Sequence, residues 1–220
     1  MRTKILGTAL TALVLTASAY ADAIFTPGNN PQPNEENVLL NGSGVVNGNP
    51  IDGHTNMTHT AVQFSSATCS PGQTCLSGTG GQSDIDAGPG FGPLVHNITI
   101  TIPANSPGCA SALGCSFQDL VFNPFKEATD HDVNLTAVTN EGTFTLDNFG
   151  MAHGQNFVTI TVTPGDAIHS VTIDSPDGFQ DLKQIRMSGP FAAIVPEPSS
   201  MLLLGSGVLV FTQVLRRKRL

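Results

Sequence analysis

Asp84 and Asp86 are the side chains whose type and spacing best suit metal chemistry. They flank Ile85, and in an extended segment both carboxylates project from one face, because successive side chains of a strand point to opposite sides. Carboxylate oxygens and the carbonyl oxygens of the glycine-rich surroundings are ligands that Ca²⁺ prefers. These residues are therefore the candidate ligands of a structural calcium ion, and no other cofactor is indicated. The alternative is an acidic strand face without an ion. Further aspartates near predicted strand ends are Asp119, Asp174, Asp177 and Asp181.

The four cysteines form two close pairs in the sequence. Each pair brackets a short segment with Gly or Pro that could close a loop, so of the three possible pairings we predict Cys69–Cys75 and Cys109–Cys115. Such bridges indicate an oxidising compartment. Zinc is the alternative, but five residues separate the members of each pair, more than the usual spacing of about two to four, and no His lies beside them.

The sequence contains no motif of a nucleophilic or metal-dependent hydrolase. Gly-x-Ser-x-Gly, His-Glu-x-x-His and the P-loop are all missing, so no catalytic residue is assigned and we predict a non-enzymatic protein. The segment Asp130-His131-Asp132 is either a polar turn or the corner of a metal site. A hydrolase acting on polysaccharide stays open as an alternative, because glycoside hydrolysis requires only two carboxylates that meet in space.

Two binding functions also stay open as alternatives. Threonines alternate along Thr99-Ile100-Thr101 and along Thr159 to Thr163, so a flat threonine face could order water or ice. The same alternation is typical of any half-buried strand. Lectin-like binding would depend on Asn, Asp and Phe, because the chain has no Trp and its single Tyr is Tyr20.

The pattern of residues in the body of the chain predicts β-strands. Short runs such as Leu94–Ile102, Phe157–Val162 and Ile168–Ile173 alternate apolar and polar residues, and Gly, Pro, Asn and Asp clusters separate them. Nine or more such runs predict an all-β fold, an antiparallel β-sandwich of jelly-roll type, over residues 37–194. Residues 22–36 are predicted to form a leader or an edge segment.

The charge pattern excludes one class of partner. The chain has 17 acidic residues against nine basic ones, and six of the nine lie near the two termini. Between residues 22 and 195 only Lys126, Lys183 and Arg186 remain. Binding of nucleic acid requires clustered Lys and Arg to neutralise phosphates, so we predict no nucleic-acid partner.

Residues 1–21 have the three parts of a secretory signal peptide. Arg2 and Lys4 precede an apolar run from Ile5 to Ala17, and Ala19-Tyr20-Ala21 forms a small-x-small cleavage site. We predict export through the Sec machinery and cleavage between Ala21 and Asp22, with Ala23 as the alternative site. An N-terminal membrane anchor is the other interpretation.

The C-terminal segment combines three elements in a fixed order. Val195-Pro196-Glu197-Pro198 comes first, the apolar stretch 201–215 follows, and the basic cluster Arg216-Arg217-Lys218-Arg219 comes last. As a transmembrane helix the apolar stretch is about 22 Å long, shorter than the roughly 30 Å hydrocarbon core. It can span if the bilayer thins or the flanking residues snorkel. The basic cluster should then stay cytoplasmic.

This arrangement resembles the PEP-CTERM sorting signal of Gram-negative exported proteins, a tail also known as an ice-binding protein C-terminal region. The resemblance covers residues 195–220. It implies recognition by an exosortase, a membrane transpeptidase that cleaves near Pro-Glu-Pro and passes the protein outward. The implied route is a transient anchor in the inner membrane, followed by the cell surface or the extracellular space. The alternative is an ordinary single-pass tail anchor.

Together these observations predict an exported, acidic, disulfide-stapled β-protein. We expect a non-catalytic surface or extracellular-matrix protein that contacts exopolysaccharide or partner proteins. Two acids brought together in a concave groove beside polar residues would favour the hydrolase, whereas an intact flat face with scattered acids would favour the structural role.

Overall fold

The computed structural model describes residues 23–70, 72–81, 83–104, 106, 115–126, 131–163, 166–188 and 191–192. Across these ranges the regular structure is all strand, which confirms the all-β prediction. None of the residues in these ranges belongs to a helix able to cross a membrane. The predicted signal peptide with its cleavage site at Ala21 and Asp22, and the predicted transmembrane helix 201–215, lie outside the described residues.

The predicted alternating runs fall on strands of the described part. In chain order these strands are β1 (Ile24–Pro27), β2 (Glu35–Leu40), β3 (Val45–Gly48), β4 (Ile51–Thr55), β5 (Ala61–Ser65), β6 (Leu76–Thr79), β7 (Asp84–Ala87), β8 (Val95–Thr101), β9 (Cys115–Ser116), β10 (Asp119–Phe125), β11 (His131–Thr139), β12 (Thr143–Met151), β13 (Val158–Thr161), β14 (Ile168–Phe179), β15 (Asp181–Ser188) and β16 (Phe191–Ala192).

The main sheet is antiparallel and has two halves that share β2. One half runs β1-β13-β10-β15, and β7, β6 and β3 extend it from β15; the other half runs β4-β5-β8-β14-β11-β12. Residues Glu35–Asn37 of β2 pair with β15, and residues Val38–Leu40 pair with β4. Hydrogen bonding therefore continues from one half into the other. The separate sheets of the predicted jelly roll are replaced by one sheet that is nearly closed on itself.

One apolar core lies between the two halves. Its members alternate with outward-facing residues along each strand, as in Val62 and Phe64 of β5 and Ile98 and Ile100 of β8, all fully buried. Leu120, Ile160 and Leu182 from the other half belong to the same cluster. The alternation recognised in the sequence is thus the inward and outward alternation of the pleat.

The loop between β5 and β6 contains the predicted disulfide between Cys69 and Cys75, with Cα atoms 6.4 Å apart. This bridge leaves no thiolate at these positions for the zinc alternative. Cys115 is buried and is also disulfide-bonded. Cys109 lies outside the described residues, so the pairing of Cys109 with Cys115 stays a prediction.

The segment predicted as a leader or edge element lies in the sheet. β1 pairs with β13, from Ile24 opposite Thr161 to Pro27 opposite Val158, and it stands at one end of the strand order. β2 begins at Glu35, two residues before the predicted start of the domain. The backbone of both strands therefore contributes ladder hydrogen bonds to the fold.

Candidate functional site: an acidic cluster beside a polar groove

The pairing of β7 with β15 positions the candidate metal ligands. Asp86 lies opposite Asp181, Ile85 opposite Leu182, and Asp84 opposite Lys183. Ile85 and Leu182 are fully buried in the core, so the charged residues on either side of them belong to the outer face. Asp84 and Asp86 share this face, as the alternation in the sequence predicts. Their role as metal ligands stays a prediction.

Asp181 joins these two aspartates in a compact acidic cluster. One carboxylate oxygen from each of Asp84, Asp86 and Asp181 lies within 4.8 Å of the others. Among the described residues this is the one such group of three or more metal-ligating side chains. The sequence named Asp181 only as a separate candidate, because it stands far along the chain from β7 and only strand pairing brings it close.

Lys183 provides the positive charge of the cluster. Its Nζ lies 2.8 Å from Oδ2 of Asp181 and 3.9 Å from Oδ2 of Asp84. The same ammonium group lies 4.9 Å from the centre of the Phe125 ring, within the range of a cation–π contact. The lysine is therefore held in place from two sides, by carboxylates and by an aromatic face.

Burial raises the pKa of two aspartates of the cluster, whereas Asp181 raises that of the lysine. Burial raises the pKa of Asp181 to about 6, although the hydrogen bond and charge of Lys183 act in the opposite direction. Burial and the nearby charge of Asp84 raise the pKa of Asp86. Burial lowers the pKa of Lys183, but the hydrogen bond and charge of Asp181 outweigh it and the pKa is raised. The cluster thus holds more negative charge than its single lysine balances.

Two carboxylate oxygens in the cluster lack a partner. Oδ1 of Asp84 and Oδ1 of Asp181 are buried and accept no hydrogen bond. The Asp181 side chain is only 4% exposed, so water does not reach it freely. A buried acceptor without a partner destabilises a fold by about 1–3 kcal/mol, and more when it carries charge. The ion pairs with Lys183 therefore do not account for the burial of these two oxygens.

A polar groove of about 570 Å³ opens beside the cluster. Asp84 and Lys183 line both features, and the groove also contains amide, basic and aromatic groups. Its principal lining side chains besides these two are Asn29, Asn37, Phe157, Gln184 and Arg186. An acid, several amides and an aromatic ring in one concavity form the kind of surface that binds a polar ligand.

An irregularity in β15 brings two basic residues to this groove. Lys183 and Arg186 are three positions apart, and in a regular strand they would face opposite sides. Gln184 has a left-handed backbone with φ of 54°, and the pairing of β15 with β10 shifts register here. Ser83 accepts at its carbonyl from Gln184 N at 3.1 Å and at Oγ from Ile185 N at 2.9 Å. The bulge therefore lets both cations line one groove.

Arg186 keeps hydrogen-bonding capacity for a ligand. Its Nη1 lies 3.5 Å from Oε2 of Glu35, and Nη2 donates to Oδ1 of Asn29. A guanidinium carries five N–H donors, so these two contacts do not use all of them. Of the three basic residues in the described ranges, Lys126 is buried and donates to the Gly178 carbonyl at 2.9 Å. The other two both lie in the groove.

The other aspartates predicted as candidates do not belong to the cluster. Asp119 is 6% exposed and accepts from Ser188 N at 3.0 Å, and burial raises its pKa to about 6. Asp174 accepts from Asn97 Nδ2 at 3.1 Å on the other half of the sheet. Asp177 lies in the exposed part of β14. The backbone of His131 starts β11, and Asp130 lies outside the described residues.

The two predicted threonine strands have different surroundings. Thr159 is fully buried: it donates to the Gly28 carbonyl at 2.9 Å and accepts from Asn30 N at 3.1 Å, so the segment that follows β1 covers it. Thr99 and Thr101 lie on the outer face of the other half. The outward rows that continue from them across neighbouring strands are Ser65-Thr99-Thr172-Thr136-Thr145 and Gln63-Thr101-Ser170-Val138-Thr143. This half therefore presents a face rich in hydroxyl groups.

Residues 195–219 match the family model described as PEP-CTERM protein-sorting motif. The sorting signal predicted from Val195-Pro196-Glu197-Pro198 and the basic cluster is confirmed, and it lies outside the described residues. The motif supports exosortase-dependent sorting of an exported protein to the surface or the extracellular space, with an exosortase as the processing partner. Comparison with curated proteins and comparison with solved structures gave no match.

Proposed function

We propose that this chain, which carries a PEP-CTERM protein-sorting motif, is a non-catalytic surface or extracellular-matrix protein that binds exopolysaccharide in the groove beside Lys183. The observation that carries the proposal is the groove of about 570 Å³ with its amide and basic side chains. An exosortase substrate is delivered to the cell surface or the extracellular space, where exopolysaccharide is found. A groove that binds polysaccharide is consistent with this location.

The chemistry of the groove favours an acidic sugar chain. Asn29, Asn37 and Gln184 carry amides, which can donate to and accept from sugar hydroxyls. Phe157 is half-buried and offers an apolar surface to the face of a ring. Lys183 and Arg186 are the accessible cations of an otherwise acidic body, and a guanidinium pairs well with a carboxylate. A uronic-acid-containing polysaccharide would satisfy all three kinds of group.

The test measures binding of the purified full chain to exopolysaccharide from the native host. We expect Arg186→Gln to weaken binding about tenfold or more, because a hydrogen bond to a charged group contributes about 1.5–3 kcal/mol. Asn37→Ala should weaken it about two- to tenfold, because a hydrogen bond between neutral groups contributes about 0.5–1.5 kcal/mol. Asn37 is exposed and its side chain is not needed for a strand, so its substitution should leave folding intact. Unchanged binding by both variants would overturn the proposal.

Measuring the release of reducing sugar ends from the same polysaccharide distinguishes binding from hydrolysis. Of the three clustered acids only Asp84 lines the groove, and Asp181 is buried and paired with Lys183, an arrangement that suits structure better than contact with substrate. We expect no release of reducing sugar ends by the wild-type protein. Release that Asp84→Asn abolishes would replace the binding role with the hydrolase alternative.

A second candidate function is ordering of water or ice at the hydroxyl-rich face. The observation that favours it is the run of outward Ser and Thr across five neighbouring strands, with Thr99 Oγ1 only 2.9 Å from Thr172 Oγ1. Ice-recrystallisation inhibition that is lost in Thr172→Tyr and kept in Asn37→Ala would support this function. Ice growth identical with and without the protein would exclude it.

A further inference from the structure

We propose that Asp84, Asp86 and Asp181 together bind one Ca²⁺ ion on the outer face of β7 and β15. This inference does not depend on polysaccharide binding, because it concerns the acidic cluster alone. It assigns to Asp181 a role as ligand next to the two aspartates that the sequence singled out.

The spacing of the three carboxylates fits a single ion. Calcium binds oxygen ligands at about 2.3–2.6 Å, so two oxygens on opposite sides of one ion lie about 5 Å apart. The contributing oxygens of Asp84, Asp86 and Asp181 all lie within 4.8 Å of one another. One ion can therefore lie between all three oxygens. Asp86 is exposed, which leaves the outer side open for water ligands.

Two buried carboxylate oxygens of the cluster have no hydrogen-bond partner. Lys183 contacts Oδ2 of Asp181 and Oδ2 of Asp84, and in both residues it is Oδ1 that remains buried without a hydrogen bond. The lysine thus pairs with one oxygen of each carboxylate, and the other oxygen has no partner. An ion shared by these residues supplies the missing partner to both buried oxygens at once.

The charges in the cluster match a divalent cation. Three carboxylates and one ammonium group leave two uncompensated negative charges, and burial of such charge is strongly unfavourable unless it is paired. The donor set is all oxygen, which suits a hard cation rather than zinc or copper. Ligands from two strands plus open water positions suit the flexible coordination of Ca²⁺ better than the strict octahedron of Mg²⁺.

The test is calorimetric titration of the metal-stripped full chain with CaCl₂, accompanied by thermal melting. We expect one ion per chain, a Kd at or below about 1 mM, the weak limit for extracellular calcium modules, and a Tm increase of about 5 °C at saturation. Asp86→Asn should weaken binding about tenfold. Because Asp86 is exposed, this variant should still fold even if Asp181→Asn does not.

Two controls make the outcome decisive. Asp52→Asn removes an exposed acid on β4, outside the cluster, and should bind Ca²⁺ like the wild type. The groove variant Asn37→Ala should also keep calcium binding, so that failure of the polysaccharide proposal and failure of this one can be told apart. No binding up to about 1 mM, equal loss in Asp52→Asn and Asp86→Asn, or equal stabilisation by MgCl₂ would each overturn the assignment.

Discussion

The buried Asp119 should make the protein less stable as the pH rises, and Asp119→Asn should remove that effect. Asp119 is 6% exposed, and burial raises its pKa from an ordinary value of 3.8 to about 6. For an acid whose pKa is higher in the folded state, the stabilising contribution is fully present below the unfolded pKa. It is lost as the pH rises through the folded pKa.

The shift also gives the size of the effect. Each pKa unit corresponds to about 1.4 kcal/mol, so a shift of about two units destabilises the ionised native state by up to about 3 kcal/mol. The asparagine in Asp119→Asn keeps Oδ1 as an acceptor for Ser188 N and does not ionise. We therefore expect the variant to gain stability relative to the wild type between about pH 4 and about pH 8.

The assay is urea unfolding of both proteins with a chelator present, so that bound metal does not contribute. The quantity of interest is the change with pH in the difference between their free energies of unfolding. Asp181 titrates in both proteins and cancels from this difference. Thr159→Val, which removes a buried hydroxyl that does not ionise, is the control and should give a difference independent of pH. A pH-independent difference for Asp119→Asn as well would refute the reasoning.

Four other predictions concern separate features. Glu36→Gln should destabilise the protein by about 1–3 kcal/mol at neutral pH. Although burial acts to raise the pKa of Glu36, hydrogen bonds from Thr58 and Met57 outweigh it and lower the pKa, so the wild-type advantage in urea unfolding should be lost as the pH falls below about 4. Lys183→Gln should lower Tm without Ca²⁺ and recover it with Ca²⁺; no recovery would contradict the proposed site. Replacing Cys69 and Cys75 by Ser should reduce the free energy of unfolding by about 2 kcal/mol, since the loop is short. Intact mass of protein from the native host should lack both terminal segments, and a mass that retains residues 201–220 would contradict exosortase processing.

Local patterns predicted those features that neighbouring residues determine. Period-two alternation placed Asp84 and Asp86 on one face, and a short loop between two cysteines gave the bridge from Cys69 to Cys75. The tail motif required no fold at all, because its elements are contiguous in the sequence. In each case the signal spans only a few residues or one uninterrupted segment.

Features that depend on distant pairing could not be predicted in this way. Asp181 joins the cluster only because β15 pairs with β7, and no local pattern encodes that partner. Because the first part of β2 pairs with β15 and the second part with β4, the structure has one continuous sheet where the sequence predicted a sandwich of two. The left-handed Gln184 has no sequence signature, since Gly and Asn are the usual residues in that conformation. The burial of Thr159 likewise has no local signal, because the groups that cover it belong to Gly28 and Asn30, far away in the sequence.

The edge at the far end of the sheet has a consequence for crowding on a cell surface. In the described part of the chain β12 pairs only with β11, so its other edge could accept a strand from another copy. Asn148 interrupts that edge with a left-handed backbone of φ 57°, where the register with β11 shifts, and its N–H is turned inward to Oδ1 of Asn134. Asp147 beside it adds an exposed charge. A second copy therefore finds no straight, uncharged edge along β12, which disfavours strand addition at that edge where copies are crowded together.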